Sequence, residues 1–415
     1  MLSEESRQEH FQIYHNRLGP LASMDEELEI RPLTLFIGKQ GTGKSLVSQL
    51  LYFFREAPYL LFRYREQRSP NSALRRVIEG LRAGDSTPRS MAAFLSTGDV
   101  QLRYRSSISE TQAVERKFSI RKFSKIEALQ PFAGEMEDWF DSWIADPSLK
   151  GPQPQALFIP AERTYFSRFI NTDPAMLGHK AVPLTMREFS RVMVEAGKCF
   201  LAWHDSSTER PSGANKIADW ARSELRGEVR YSRSGRLAGR WQWMPAGTEQ
   251  AIEIEMASSG QMESWPLIMV AQSLFDWGVE APVFLHIEEP ESHLHPSAQA
   301  MMIKILAFLV NHGFRIVVTT HSLDVLYALN NLIAAEERLP KNLRDERVPS
   351  PEIRLSPEQV GAYHFKTSGE VQNIMLPVKD ISTHWLNEDL LRQTEQEFEY
   401  ELNRIRSYGV TWGLD

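Results

Sequence analysis

The chain has 415 residues, 42% hydrophobic and 24% charged, with a formal net charge of -7. That suffices for one large or two modest domains with real cores, and the acidic total disfavours simple wrapping by nucleic acid while allowing local basic patches. The one cysteine, Cys199, excludes a disulfide scaffold or a thiolate metal cluster and fits a reducing, cytoplasmic compartment. No apolar run reaches the roughly 18 residues of a membrane span, and the polar opening MLSEESRQEHFQIYHNRLG does not read as a secretory signal.

In chain order, LTLFIG (33–38) is a short apolar run closed by glycine, as in a buried strand. SLVSQLLYFF (45–54) sets Leu46, Leu50, Leu51 and Phe54 at helical spacings. LFRYREQRSPNSALRRVIEGLRAG predicts a basic helix, DVQLRYRSSISE an alternating strand and EALQPFAGEMEDWFDSWIAD another helix. GPQPQ (151–155) breaks the chain before the apolar strand ALFIPAER (156–163). Residues 164–225 read as mostly helical, and 226–256 as hairpins ending in the strand AIEIEM. A helix near 262–276, the strand VFLHIEEP, a helix near 296–311 and the strand RIVVTTHS follow. One more helix, a short strand region and the charged helix WLNEDLLRQTEQEFEYELNRIRSY complete the chain. Strand and helix alternate at both ends around a separate middle, which predicts an α/β core interrupted by an arm.

Gly38-Lys39-Gln40-Gly41-Thr42-Gly43-Lys44-Ser45 matches the phosphate-loop pattern G-x-x-x-x-G-K-[ST] in full, between the predicted strand and helix. Its glycines let backbone N–H groups turn toward phosphates, and the following helix presents its positive end to the same anion. Lys44 is placed to reach the β- and γ-phosphates of ATP, and the Ser45 hydroxyl to help hold Mg²⁺. VFLHIEEPESHLHP (283–296) suits a Walker B element, a buried strand ending in carboxylates. Glu288 is the expected metal holder. Glu289, on the alternate face of the strand, is the expected base that orients and polarises the attacking water. His286, His293 and His295 lack a helical H-E-x-x-H frame or a zinc spacing, so a transition-metal site is not expected. FRIVVTTHSLDVL predicts the adjacent core strand, with His321 just past its end as a γ-phosphate sensor or water-fixing group.

Together these pieces resemble ATPase domains of the ABC superfamily, in the branch that holds structural-maintenance-of-chromosomes (SMC), RecF-like and overcoming-lysogenisation-defect (OLD) ATPases. The resemblance rests on Gly38–Ser45, the EEPE-x-HLHP-like run Glu288–Pro296 and Thr320–Ser322, and covers about half of the chain. It implies an ABC-type P-loop NTPase core with a mixed α/β and helical insertion arm. The core is expected to be split between residues 1–60 and 226–380, with the arm and some core elements in 61–225 and a helical tail in 381–415. It also implies a signature motif before Walker B, matched by Ser258-Ser259-Gly260-Gln261 with serine in place of one glycine. In such proteins the signature grips the γ-phosphate bound by the opposite subunit, so Ser259 of one chain and Lys44 of another hold one ATP in a head-to-tail homodimer. An ordinary Ser-Gly helix cap is the competing reading of that segment. Glutamate at 288, where many ABC proteins carry aspartate, is usual in the OLD-like branch. Arg163, ending IPAER, resembles a motif of the same branch; it either faces nucleotide, fixes the arm or forms a plain salt bridge.

The middle of the chain has no sustained heptads and no C-x-x-C, so a long coiled coil with a zinc hook is not expected. No D-x-D cluster follows His321. The expectation is an ATPase that works as a switch on a separate effector, as in anti-phage defence systems such as PARIS that pair an ATPase with a nuclease or toxin. A RecF-like DNA-repair ATPase and a weakly hydrolysing scaffold are the alternatives. ERKFSIRKFSK (115–125) and RGEVRYSRSGRLAGRWQW (226–243) concentrate basic and aromatic residues, among them Arg226, Arg230, Arg233, Arg236, Arg240, Tyr231, Trp241 and Trp243. Backbone tracking with base stacking on DNA, docking of an acidic protein and a solvated basic face all remain open for them.

Overall fold

The computed structural model describes residues 9–64, 101–106, 114–119, 156–171, 182, 184–204, 208–232, 240–278, 283–343, 345, 347–375, 386, 400–401 and 403–404. The predicted helices after Tyr64 and within 127–146, the basic residues Arg121, Lys122, Lys125, Arg233 and Arg236, and most of the charged tail lie outside them.

The apolar runs meet in one sheet. β3 (Leu33–Ile37), β6 (Ala156–Ile159), β10 (Phe284–Glu288), β11 (Arg315–Thr320), β12 (Val360–Phe365) and β13 (Val371–Asn373) lie in the order β13-β12-β3-β11-β10-β6. Every pairing is parallel except β12 with β13. β3, β6, β10 and β11 are buried along their whole length, because helices cover both faces and leave no reason for polar alternation.

Residue parity decides which layer each side chain enters. Leu157, Ile159, Leu285 and Ile287 join the large core with α3 (Leu184–His204), α4 (Ser212–Leu225), α5 (Ser259–Trp277) and α6 (Pro296–Asn311). Ala156, Phe158 and Phe284 point the other way and pack with Tyr52 of α1 (Lys44–Tyr64). α5 is buried continuously from Met262 to Leu274, as an apolar-all-round helix must be. α2 (Thr164–Phe169) follows β6 through a short turn, and α7 (Leu323–Arg338) follows β11.

A second, antiparallel sheet, β2-β1-β4-β5, is built from β1 (Glu9–His15), β2 (Leu28–Glu29), β4 (Gln101–Ser106) and β5 (Val114–Ser119). A buried polar chain ties it to the first. Arg55 of α1 forms an ion pair with Glu9, which also accepts from the Tyr104 hydroxyl at 2.7 Å. On its other side Arg55 Nη1 lies 2.8 Å from His286 Nε2. Burial and the Arg55 charge hold His286 well below its ordinary pKa, so the ring is neutral. Nε2 accepts from the guanidinium, and Nδ1–H donates to the Ser48 hydroxyl at 3.2 Å.

The third sheet is the hairpin β7 (Gly227–Ser232) and β8 (Arg240–Pro245) with β9 (Ile252–Glu253). The strand expected over AIEIEM pairs only at Ile252–Glu253. Residues Ile254–Met256 turn as a single 3₁₀ element, which sinks Ile254 into the core and delivers Ser258 to the start of α5. Trp241 and Trp243 are buried in the main core and cannot stack on bases. Arg230 is paired with Glu228, and Arg240 with Glu253, so these arginines are partly neutralised in place.

Candidate active site

The loop between β3 and α1 takes the conformation its glycines permit. Gly38 and Gly43 have φ of 152° and 98°. A Cβ on Gly38 would stand 2.3 Å from the Phe365 carbonyl oxygen, and one on Gly43 would stand 2.7 Å from the Leu21 side chain. Both positions therefore need glycine for backbone and for space. Lys39, Gln40 and Gly41 are exposed at the rim, as is Ser45 in the first turn of α1. Thr42 caps the loop from within, its hydroxyl donating to the Lys39 carbonyl at 2.8 Å. The Lys44 ammonium donates to the carbonyls of Gly38 and Lys39, each at 2.8 Å. Burial lowers the Lys44 pKa, against the pull of Glu289, Glu291 and Glu288.

Those three glutamates come from the end of β10 and the turn beyond it. Glu288 is buried. Its Oε2 accepts from the Ala161 N–H at 3.3 Å, and Ser45 hydrogen bonds to it as well. Its Oε1 has no hydrogen-bond partner. Burial pushes this carboxyl up to about 7, with the Ser45 bond opposing the rise. A buried, unpartnered carboxylate oxygen beside a serine hydroxyl fits Mg²⁺, which takes few protein oxygens and completes its shell with phosphate and water.

Glu289 is separated from Glu288 by a backbone turn rather than by strand alternation alone. Its φ is 42°, in the left-handed region, so the chain leaves β10 abruptly at this residue. The strained conformation is tied down by the Glu289 N–H, which donates to Thr319 at 2.9 Å, and by Arg163, described below. The Glu289 carboxylate accepts from the Ser292 hydroxyl at 3.3 Å and lies 3.6 Å from His321 Nδ1. The neighbouring His321 ring lowers the Glu289 pKa, and the Glu289 carboxylate raises that of His321.

Glu291 belongs to the site although the sequence pattern marked it only as part of EEPE. It is buried and accepts from the Thr320 hydroxyl and from the His321 N–H at 3.1 Å. It thereby fixes where His321 leaves β11, and lies 3.6 Å from the same Nδ1. His293 and His295 serve the turn. His293 takes a φ of 59°, and the His295 ring accepts from the Ser297 N–H at the start of α6. Among the described residues no cluster of histidine, cysteine, aspartate and glutamate suits a transition metal.

Arg163 turns into the protein interior, away from solvent. It is fully buried, and its guanidinium donates to the carbonyls of Glu263 at 2.7 Å, Pro160 at 3.2 Å, Glu288 at 2.8 Å and Glu289 at 2.9 Å. Burial lowers its pKa, opposed by Glu263, Glu291, Glu289 and Glu288.

Ser258 caps α5. Its side chain accepts from the Gln261 N–H, and the Gln261 side chain accepts from the Ser258 N–H, a reciprocal capping box. Gln261 also donates to the Leu225 carbonyl at 2.8 Å. Ser258 and Ser259 are exposed, and among the described residues no hydrogen bond joins Ser258–Gln261 to the 38–45 loop of the same chain. The structure thus brings together the glycine loop, Glu288, Glu289 and His321, while Ser258–Gln261 makes no hydrogen bond to that loop among the described residues.

Residues 205–326 match the family described as an AAA ATPase domain, which is less than half of the chain. No curated protein matches. Among solved structures the chain is similar to an SMC head bound to the C-terminal winged-helix domain of ScpA, at 10% identity and TM-score 0.40, covering 90% of this chain and 97% of that one. It is similar to a nucleotide-free ATP-binding cassette from an ABC transporter, at 10% identity and TM-score 0.33, covering 88% and 89%. The SMC head domain from Thermotoga maritima gives 12% identity and TM-score 0.34, covering 90% and 99%. Glycine loop, carboxylate-ended β10 and family match together make this an ATP-hydrolysing enzyme with a P-loop α/β core.

Proposed function

We propose that the protein is an ATP-driven switch that closes as a head-to-tail sandwich dimer and opens on hydrolysis. The observation that carries this reading is the split of the site. Lys44, Glu288, Glu289 and His321 converge in one chain, while Ser258 and Ser259 at the start of α5 are exposed. A helix N-terminus with two exposed hydroxyls suits an anion brought by another molecule. Met256, 74% exposed beside that helix start, gives a second copy an apolar surface to cover.

Within one site the roles divide by environment. The loop N–H groups of Gly38–Ser45, with Lys44, bind the β- and γ-phosphates. Ser45 and Glu288 would hold Mg²⁺, which would supply positive charge against that developing on the transferred phosphate. Glu289, kept ionised by His321, accepts the proton of the water that attacks the γ-phosphorus. ADP leaves with the pair of electrons from the broken bond, and phosphate carries the new oxygen. His321 stands beside the same carboxylate, 3.6 Å away, and orients it by charge. Ser259 and Gly260 of the other chain close over the γ-phosphate.

The effector in this reading is a separate nuclease or toxin of an anti-phage defence system, and the segment 61–225 relays the change to it. The resemblance of Glu288–Pro296 and Thr320–Ser322 to the OLD-like branch supports that choice. The test is hydrolysis by Glu289→Gln beside the parent. Retained ATP with lost turnover agrees with the assignment, and a parental rate sinks it. Adding duplex DNA to the parent separates a repair role, in which the rate rises several-fold, from an effector-directed switch, in which it does not.

A further inference from the structure

In a sandwich dimer each chain serves two ATP molecules, one through Glu289 and one through Ser259. A device that links these two sites must therefore run inside a single chain, between the turn after β10 and the start of α5. The structure contains such a link, built around a proline.

Pro266 lies within α5. It has no N–H to donate to the Met262 carbonyl, and its ring crowds that carbonyl out of the helical ladder. The opening is filled from α2 and the turn before it. The Ser167 hydroxyl donates to the Met262 carbonyl at 2.7 Å, and Arg163 Nε donates to the Glu263 carbonyl at 2.7 Å. The Glu263 carboxylate turns back on the same segment, accepting from the Thr164 hydroxyl and lying 3.7 Å from Arg163. The other two nitrogens of the same guanidinium hold the carbonyls of Glu288 and Glu289. One rigid planar group thus bridges the opened turn of α5 and the two glutamates that flank the left-handed turn at Glu289. A second contact runs alongside it. The Gly260 Cα faces the His293 carbonyl so closely that a Cβ would sit 2.7 Å from that oxygen.

We propose that Arg163 is a positioning residue that couples the two ATP sites of the dimer. When Ser259 and Gly260 engage the partner's ATP, the first turns of α5 shift. Arg163 carries that shift to the Glu289 backbone and sets the carboxylate for its own water. Neither site then reaches its hydrolytic geometry until both nucleotides are in place. This inference rests on the sandwich reading above.

The experiment uses Arg163→Lys in the full chain, with ATP-induced dimerisation and the ATP dependence of the rate as readouts. A single ammonium keeps the charge but cannot hold four carbonyls in one plane. The expected result is ATP binding and dimerisation as in the parent, a turnover number lowered about tenfold, and a rate curve whose Hill coefficient falls from near two to near one. A merely structural role would lower thermal stability and leave the shape of the curve alone. A parent that stays monomeric with ATP overturns the sandwich and the coupling together. A parent that dimerises, with Arg163→Lys showing the same Hill coefficient, overturns the coupling alone. Should Arg163→Lys fail to fold, Glu263→Gln, which keeps the carbonyl bonded to Arg163 and removes only the charge, is read by the same two curves. A fall in cooperativity supports the coupling, and an unchanged Hill coefficient overturns it.

Discussion

The two halves of the site are made in different ways. The glycine loop is built from local backbone, with neighbours in sequence satisfying one another: Thr42 bonds Lys39, and Lys44 bonds Gly38 and Lys39. The carboxylate half is built from side chains that arrive from distant segments. Arg163 reaches residues 100 and more positions away, and Glu291 is met by Thr320 and His321 from the next strand. The first half satisfies its polar groups within a few residues of sequence. The second exists only once the sheet is assembled, so it is where conformational change can enter the chemistry.

The sharpest way to break that contrast is at Glu289. Glu289→Gln removes the proposed base and leaves the glycine loop intact, so turnover should fall by about 10²- to 10⁴-fold while nucleotide affinity changes little. A fall in both together would mean the two halves are not separable. The buried ion pair comes next. Glu9→Ala strands Arg55 among Phe284, His286 and Tyr104, and should cost about 3–5 kcal/mol of stability in denaturant unfolding. Little loss would show that the antiparallel sheet is loosely attached to α1. Glu291→Ala leaves the buried Thr320 hydroxyl and the His321 N–H without their acceptor and should cost about 1–3 kcal/mol. It should also lower the rate, whereas Thr42→Ala on the loop side should affect nucleotide affinity first.

The smallest effect is a pH dependence. Burial raises Glu288 to about 7, above its unfolded-state value. This group therefore favours the empty folded protein at acid pH, and that contribution is lost as pH rises from the ordinary carboxylate range through about 7. Mg²⁺ needs the ionised form and must displace a proton below that point. Mg²⁺-dependent nucleotide affinity should rise by up to about tenfold per unit from pH 6 to about 7 and then level off. In Glu288→Gln the slope should vanish.

The same division explains what was legible in the sequence. Gly38, Gly41, Gly43, Lys44 and Ser45 announce themselves because the turn demands those residue types in that order. The buried strands were readable from continuous apolar runs, and Glu288 and Glu289 from their place at the end of one. Arg163 carried only a resemblance. Its partners are carbonyls, which every residue has, so no pattern of residue types could mark them. Pro266 was the available signal: a proline deep in a helix asks what satisfies the carbonyl it frees. The chain from Ser48 through His286 and Arg55 to Glu9 was hidden for a similar reason, since strand pairing alone decides that His286 faces α1. Trp241 and Trp243 misled in the opposite direction. Interleaved with arginines they resembled a stacking surface, but the hairpin alternates, and both tryptophans fall on its buried face.

The most direct measurement is the mass in solution of Glu289→Gln with MgATP and with MgADP. A doubling of mass with ATP alone, abolished by adding Lys44→Ala, is the result the sandwich predicts. One mass in both nucleotides would contradict it.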